Sequence, residues 1–324
     1  MAKKEVILSG MQPTGKLHLG NYEGALKNWV RLQNEYDCFY CIVDWHSLTA
    51  EYEDTSDLQE RIREMTVDYL AAGLDPGICT IFVQSDVKEH AELHLLFSMI
   101  IPTPWLERVP SYKEKKEELG LDSYGFLGYP LLQAADILIY KANYVPVGKD
   151  QAPHVELTRE VARRFNNLYR EVFPEPLELL TEFPVVPGTD GRKMSKSYNN
   201  DICIADSPEE TTTKLKKMFT DPQKLRQGDP GRPEICPVYD LVRIYNPDYE
   251  EVYRRCKTGE LGCVEDKTNL ARLLNEVLAP VREKRKKLEA KPEYIDEVLR
   301  NGAERARKRA AETMREVKEA MHLR

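Results

Sequence analysis

Nowhere does the chain hold the roughly 20 consecutive apolar residues that a membrane span requires. Behind the opening lysines of MAKKEV there is no apolar core of the kind a secretory signal carries. Cysteine is too sparse for a disulfide scaffold: seven residues, an odd number without a dense spacing framework. A reducing cytoplasm is therefore the expected compartment. Internal repeats and low-complexity tracts are missing as well. A net charge of −7 excludes a bulk polycation. The charge is uneven, however. Residues 281–324 carry 14 lysines and arginines against nine acids, an excess of +5, which leaves −12 on the remainder. Such a basic end could meet a polyanion, although a solvated helix of mixed charge gives the same count.

What is present is an ordinary globular balance, 41% hydrophobic and 31% charged, in 324 residues, enough for two domains. Short runs rich in Val, Ile, Phe and Tyr predict strands at 5–9, 39–44, 80–84 and 144–147. Tyr22, Ala25, Leu26, Trp29 and Val30 keep helical spacing between the first two. A second helix is expected over 55–74, closed by Gly73 and Pro76. Strand–helix–strand alternation implies a parallel sheet with crossover helices, whose ligands sit beyond the carboxyl ends of the strands. The charged stretch at 105–125 interrupts this rhythm and reads as an insertion with a mobile part. After residue 200 the patterns turn helical, beginning with a capping-box sequence in which Glu210 follows Ser207 by three. The expected organisation is an α/β catalytic domain over 1–200 and an all-α domain over 201–324.

Two motifs carry chemistry. MQPTGKLHLGNY, residues 11–22, lies where a strand hands over to a helix. Unpaired N–H groups at a helix start and a close glycine backbone suit a phosphate, and His18 and Asn21 would add donors. The turn is neither a Walker loop nor GxGxxG, and many strand-to-helix loops look similar. The second motif, GTDGRKMSKSYNN at 188–200, places Lys193 and Lys196 three apart in a loop of Gly, Ser and Asn. Such a loop can bring two ammonium groups onto a polyphosphate.

PTGKLHLGN near the start together with KMSKS near 195 resembles the class I aminoacyl-tRNA synthetases. VPVGKDQAPHVELTREVARRFN (145–166) and GTDGRKMSKSYNN resemble the bacterial tryptophanyl branch in particular. That family's first signature is His-Ile-Gly-His. Here it reads His18-Leu19-Gly20-Asn21, and an asparagine in last place is usual in the tryptophanyl branch. The resemblance implies a Rossmann-type parallel-sheet domain, a helical anticodon-binding domain and a homodimer. It implies an enzyme that activates tryptophan with ATP, assisted by Mg²⁺, and passes the tryptophanyl group to its tRNA.

The same resemblance distributes roles among the residues. Lys193, Lys196 and Lys115 would stabilise the departing pyrophosphate. Gln12, His18, Gly20, Asn21, Gly148, Asp150 and Met194 would hold ATP. Asp136 would face the indole N–H, Tyr129, Gln133 and Gln151 would contact the amino acid, and Leu8, Val43, Val145 and Val147 would wall the ring. His46 would support the pocket from behind, with packing an equal alternative. Some members carry an iron–sulfur (4Fe-4S) cluster on four cysteines. Cys236, Cys256 and Cys263 follow that pattern, but Asp266 stands in fourth place, so a cluster and a relic loop are both open. Cys38, Cys41, Cys79 and Cys203 read as core. The alternatives are a tyrosyl-tRNA synthetase, since Tyr129, Gln133 and Asp136 also resemble a tyrosine-reading helix, and a non-catalytic RNA-binding descendant.

Overall fold

The structure is a computed structural model that describes residues 4–148, 151–180, 185–226 and 228–324. Five parallel strands form one sheet in the order β3-β2-β1-β4-β5: β1 Val6–Met11, β2 Asp37–Ile42, β3 Thr80–Val83, β4 Tyr144–Val147 and β5 Leu177–Leu180. Four of these are the expected strands, shifted by a residue or two at some ends. β5 was not foreseen. The β2 strand stops at Ile42 because Asp44 opens a helix, its carboxylate accepting from the N–H groups of Trp45 and Ser85.

The helices follow in chain order. Leu19–Asn21 (α1) runs through a wider π turn, Tyr22–Leu26, into Lys27–Leu32 (α2). Then come α3 (Asp44–Leu48), α4 (Leu58–Ala72), α5 (Glu89–Ser98), α6 (Thr103–Glu107), α7 (Pro110–Leu119), α8 (Tyr124–Ile139) and α9 (Ala152–Leu168). Past the sheet lie α10 (Pro208–Lys217), α11 (Pro237–Tyr245), α12 (Tyr249–Lys257), α13 (Cys263–Glu289) and α14 (Pro292–Ala320). Gly73, at φ 119°, closes α4. The capping box at Ser207 forms: its hydroxyl accepts from the Glu210 N–H at 3.1 Å and the Glu210 carboxylate from the Ser207 N–H at 2.8 Å. The segment read as an insertion folds into α6 and α7.

Both faces of the sheet are covered, as parallel strands require. Ile7, Tyr40, Ile42 and Ile81 point into one apolar cluster with α2, α4 and α13. Val6, Leu8, Phe39, Cys41 and Phe82, one step out of phase, point into a second with α5, α8 and α9. The last helix, α14, lies along the edge strand β3, where Gly302 leaves no space: a Cβ there would stand 1.7 Å from the Ile81 carbonyl oxygen. Covering β3 this way removes an exposed sheet edge. Cys38, Cys41, Cys79 and Cys203 are buried.

Between β1 and β4 the ladder registers only at Ile7 opposite Tyr144. Pro146, two residues further along β4, has no N–H to give. The two strands therefore part toward their carboxyl ends, where the chain order reverses, and a cavity opens in the gap.

Candidate active site

That cavity measures about 790 Å³. Leu8, Val43, Val145 and Val147 give it apolar walls, and Tyr129, Gln133, Asp136, Gln151 and His46 line it too. Nine side chains expected to hold the amino acid thus come from β1, β4 and four further segments to one place. Gln12 and Gly148 stand at the same cavity, and the Gln12 amide donates to the His46 carbonyl at 3.4 Å. Gly10 is needed on β1 because a Cβ there would meet Val43 Cγ1 at 2.8 Å.

Asp136 is fully enclosed on α8 and does not face solvent. His46 Nε2 lies 2.8 Å from its Oδ2 and His90 Nδ1 2.6 Å from its Oδ1, while Gln84 Nε2 donates to both oxygens at 2.8 and 2.9 Å. Since a carboxylate only accepts, both ring nitrogens facing it carry protons. Gln84 is held in turn by its Oε1, which accepts from the Trp45 N–H at 3.2 Å, and His90 Nε2 meets the Tyr140 hydroxyl at 2.6 Å. Burial alone would raise the Asp136 carboxyl. The bonds from His46 and His90, with their charge, outweigh it and hold the group at about 2. The cavity thus meets a fixed anion at neutral pH.

The first turn is built by reciprocal caps. His18 Nδ1 accepts from the Asn21 N–H at 3.3 Å, and Asn21 Oδ1 accepts from the His18 N–H at 3.2 Å. Burial, and then the Lys196 charge, lower His18 to about 4, so it is neutral with its remaining proton on Nε2. Gly20 answers a steric need: a Cβ there would lie 2.9 Å from the His18 ring. Met194 is buried beside Gly20. Lys196 crosses to this turn, its Nζ donating to the Thr14 carbonyl at 2.5 Å, and burial lowers its pKa. Lys193 pairs by backbone with Pro187 across the loop.

Three supporting residues escaped the sequence reading. The buried Asn200 knits the lysine loop, its Oδ1 accepting from the Ser195 N–H at 2.8 Å and its Nδ2 donating to Asp190 at 2.7 Å and to the Lys193 carbonyl at 3.2 Å. Ser111 on α7 joins the Tyr129 hydroxyl at 2.8 Å and His154 Nε2 at 2.7 Å. The SYNN string and the charged segment hinted at both places without saying which side chain mattered. His90 carried no motif at all. Asp150, and the side chain of Lys115 on α7, lie outside the described residues.

Cys236, Cys256, Cys263 and Asp266 do line a common cavity, with Lys224 and Arg232 beside them. Its room for the centres of water-sized molecules is small, about 20 Å³. The Lys224 ammonium sits 3.8 Å from Cys256 Sγ, and burial raises the Cys236 and Cys256 thiols, which favours their protonated, non-ligating forms, and raises Asp266 to about 6. Among the described residues no group of three or more His, Cys, Asp or Glu is arranged to hold a metal ion. As these side chains stand, they do not fit the iron–sulfur cluster that the resemblance left open.

Against known proteins, residues 2–279 match the family model for class I tRNA synthetases of the tryptophan and tyrosine type. A tryptophan–tRNA ligase of Thermotoga maritima is 53% identical, covering 98% of this chain and 99% of that protein. One from Aquifex aeolicus is 46% identical over 98% and 99%. Among solved structures, a Campylobacter jejuni tryptophanyl-tRNA synthetase in complex with ADP and tryptophan superposes with a TM-score of 0.88 at 37% identity, over 98% of this chain and 100% of that one. A tyrosyl-tRNA synthetase of Archaeoglobus fulgidus, 22% identical, shares the fold at a TM-score of 0.67, over 88% of this chain and 91% of that one. By family model, by relatives matched along their whole length and by architecture, the chain belongs to the class I tRNA synthetases, among the tryptophan–tRNA ligases.

Proposed function

We propose that the β1–β4 cavity binds tryptophan, that the His18–Asn21 turn and the lysine loop bind ATP, and that the enzyme joins the two before charging tRNA. One observation carries this reading: a buried, ionised Asp136 stands at the wall of a cavity whose apolar part is formed by Leu8, Val43, Val145 and Val147 and which is large enough for an indole. An indole N–H is a donor without an acceptor, so a fixed carboxylate is its natural partner.

In the first step a carboxylate oxygen of tryptophan bonds to the α-phosphorus and the bond to the β,γ-pyrophosphate breaks. The attacking group is already anionic, so no general base is required. Positioning and neutralisation of the departing charge provide the acceleration. Neutral His18 would donate through Nε2, and Lys193, Lys196 and Lys115 would take the pyrophosphate charge. Mg²⁺ arriving with the nucleotide would add charge neutralisation at the phosphates. In the second step a ribose hydroxyl of the terminal adenosine attacks the acyl carbonyl and AMP leaves. The helical region 201–324, with the basic excess near its end, is the proposed contact for the tRNA.

An iron–sulfur cluster has no part in this reading. A homodimer does: Leu95 on α5, Met99 just past its end and Tyr124 at the start of the neighbouring helix α8 are exposed apolar residues. A cytoplasmic location agrees with the reduced cysteines this reading assumes, and among the described residues no helix is long and apolar enough to cross a membrane. Pyrophosphate exchange measured with each amino acid in turn tests the proposal. Exchange is expected with tryptophan and not with tyrosine. Equal exchange with tyrosine would reverse the assignment.

A further inference from the structure

Arg285 lies on α13, in the helical region, yet it is buried against the sheet-bearing part of the chain. Its guanidinium pairs through Nη1 with Asp68 and through Nη2 with Glu64, both on α4, and through Nε with Glu289 at 2.9 Å. Asp68 is as deeply buried. Its second oxygen, Oδ2, accepts from the Leu17 N–H at 2.7 Å. Leu17 is the residue before His18, which caps the first turn. On the other side the same stretch is tied to the segment leaving the lysine loop: the Ile204 N–H donates to the Leu17 carbonyl and the Leu19 N–H to the Ile202 carbonyl, each at 2.9 Å.

A buried N–H must find an acceptor, and a carboxylate is a stronger one than a neutral group. A buried carboxylate stays in place only while its charge is answered. The path from α13 to the signature turn therefore has one side chain per link, and no link is exposed. We infer that Arg285 is a positioning residue for nucleotide binding, fixing through Asp68 the backbone from which His18 and Asn21 project. This rests on the reading of that turn as the ATP site. It gives the helical region a direct hold on the nucleotide turn, separate from any contact with tRNA. The amino-acid cavity is built from other segments and lies outside this path.

The test is steady-state pyrophosphate exchange on the full chain, with KM for ATP and for tryptophan measured separately. Arg285→Met is expected to raise KM for ATP roughly tenfold, a coupling of ordinary size, while KM for tryptophan stays within about twofold. Combining it with Asp68→Asn removes the unanswered charge and leaves an amide oxygen for the Leu17 N–H, so part of the ATP affinity should return. Arg63→Ala, which cuts an exposed pair from α4 to Asp296 on α14, should change neither constant. A folded Arg285→Met with unaltered KM for ATP overturns the inference. So does an equal rise in both KM values, which would mark general loosening. If Arg285→Met does not fold, Arg285→Lys carries the test: its single ammonium cannot serve Asp68 and Glu64 together, so an intermediate rise is expected and wild-type constants are fatal. His18→Ala separates the two readings. If it leaves KM for ATP unchanged, the nucleotide turn itself is misassigned. If it raises that constant beside an unaffected Arg285→Met, only the link is wrong.

Discussion

The carboxylate of Asp136 is surrounded by donors that leave it no role but acceptor. Loss of this group should remove the directional contact proposed for the indole N–H and leave His46, His90 and Gln84 without their common partner. A site built on such a bond can reject analogues lacking it by about 10⁴-fold. Asp136→Ala is therefore expected to lose most discrimination between tryptophan and phenylalanine in pyrophosphate exchange, and to lower kcat/KM for tryptophan by roughly 10²-fold or more. Retained wild-type kcat/KM for tryptophan would take the residue out of this role. His18 gives a pH test. Its folded pKa, about 4, lies below the ordinary 6.5, so the neutral ring is the form that the fold prefers. The stabilisation is complete above pH 6.5 and declines as pH falls toward 4, because the unfolded chain takes up the proton first. A protonated ring would also lose the acceptor for the Asn21 N–H. Across that window KM for ATP should climb with acidity, and His18→Asn, which keeps a capping oxygen, should flatten the climb.

At the level of elements, the lysine loop is pinned from within by a buried amide, beside the Pro187–Lys193 pairing and a single 3₁₀ turn at Lys196–Tyr198. Asn200 ties Ser195, Asp190 and the Lys193 carbonyl together, and Gly188 is required beside it because a Cβ there would sit 2.3 Å from the amide. If, as proposed, Lys193 and Lys196 act on charge that moves as pyrophosphate departs, removing both should depress kcat more than it raises KM for ATP. Each should contribute a few kcal/mol, about the scale of a preorganised electrostatic contact. Normal turnover with weak ATP binding would contradict that account. Asn200→Ala leaves the loop's polar groups without a partner, at about 1–3 kcal/mol. It should lower kcat in the same sense while both lysines remain. A variant with unchanged kcat would show the tether to be idle.

For the molecule as a whole, the packing of α14 on β3 decides stability. Gly302 lies so close to the Ile81 backbone that Gly302→Ala cannot be absorbed by side-chain movement. It should destabilise by about 3 kcal/mol or more, read as a lower urea midpoint at similar slope. Gly125→Ala, in α8 with nothing within 4 Å of the added carbon, should be neutral or stabilising by up to about 1 kcal/mol. Similar midpoints for the two would mean that the last helix is not seated on the strand as described.

Much of this was legible from local pattern. β1 through β4, the capping box at Ser207 and the buried cysteines of the strands follow from periodicity and residue type, which are local in origin. Leu177–Leu180 was not, because four residues, LELL, are too few to fix a period, and the strand pairs only once β4 exists as a template. The cavity residues could be named from the family resemblance, but their convergence depends on the β1–β4 ladder ending beside Pro146, a tertiary event. His90, Gln84 and Ser111 stand in no motif, and their roles arise from distances across the fold. So does the link from Arg285 to Leu17, whose ends are far apart in the chain. The resemblance left a metal cluster open at the cysteines, and whether three thiols and a carboxylate can ligate depends on side-chain direction and on the space left between them. Sequence determined which elements form and which chemistry they carry. The tertiary structure alone decided which side chains meet, because contact is set by packing between segments that do not know one another's position until they fold.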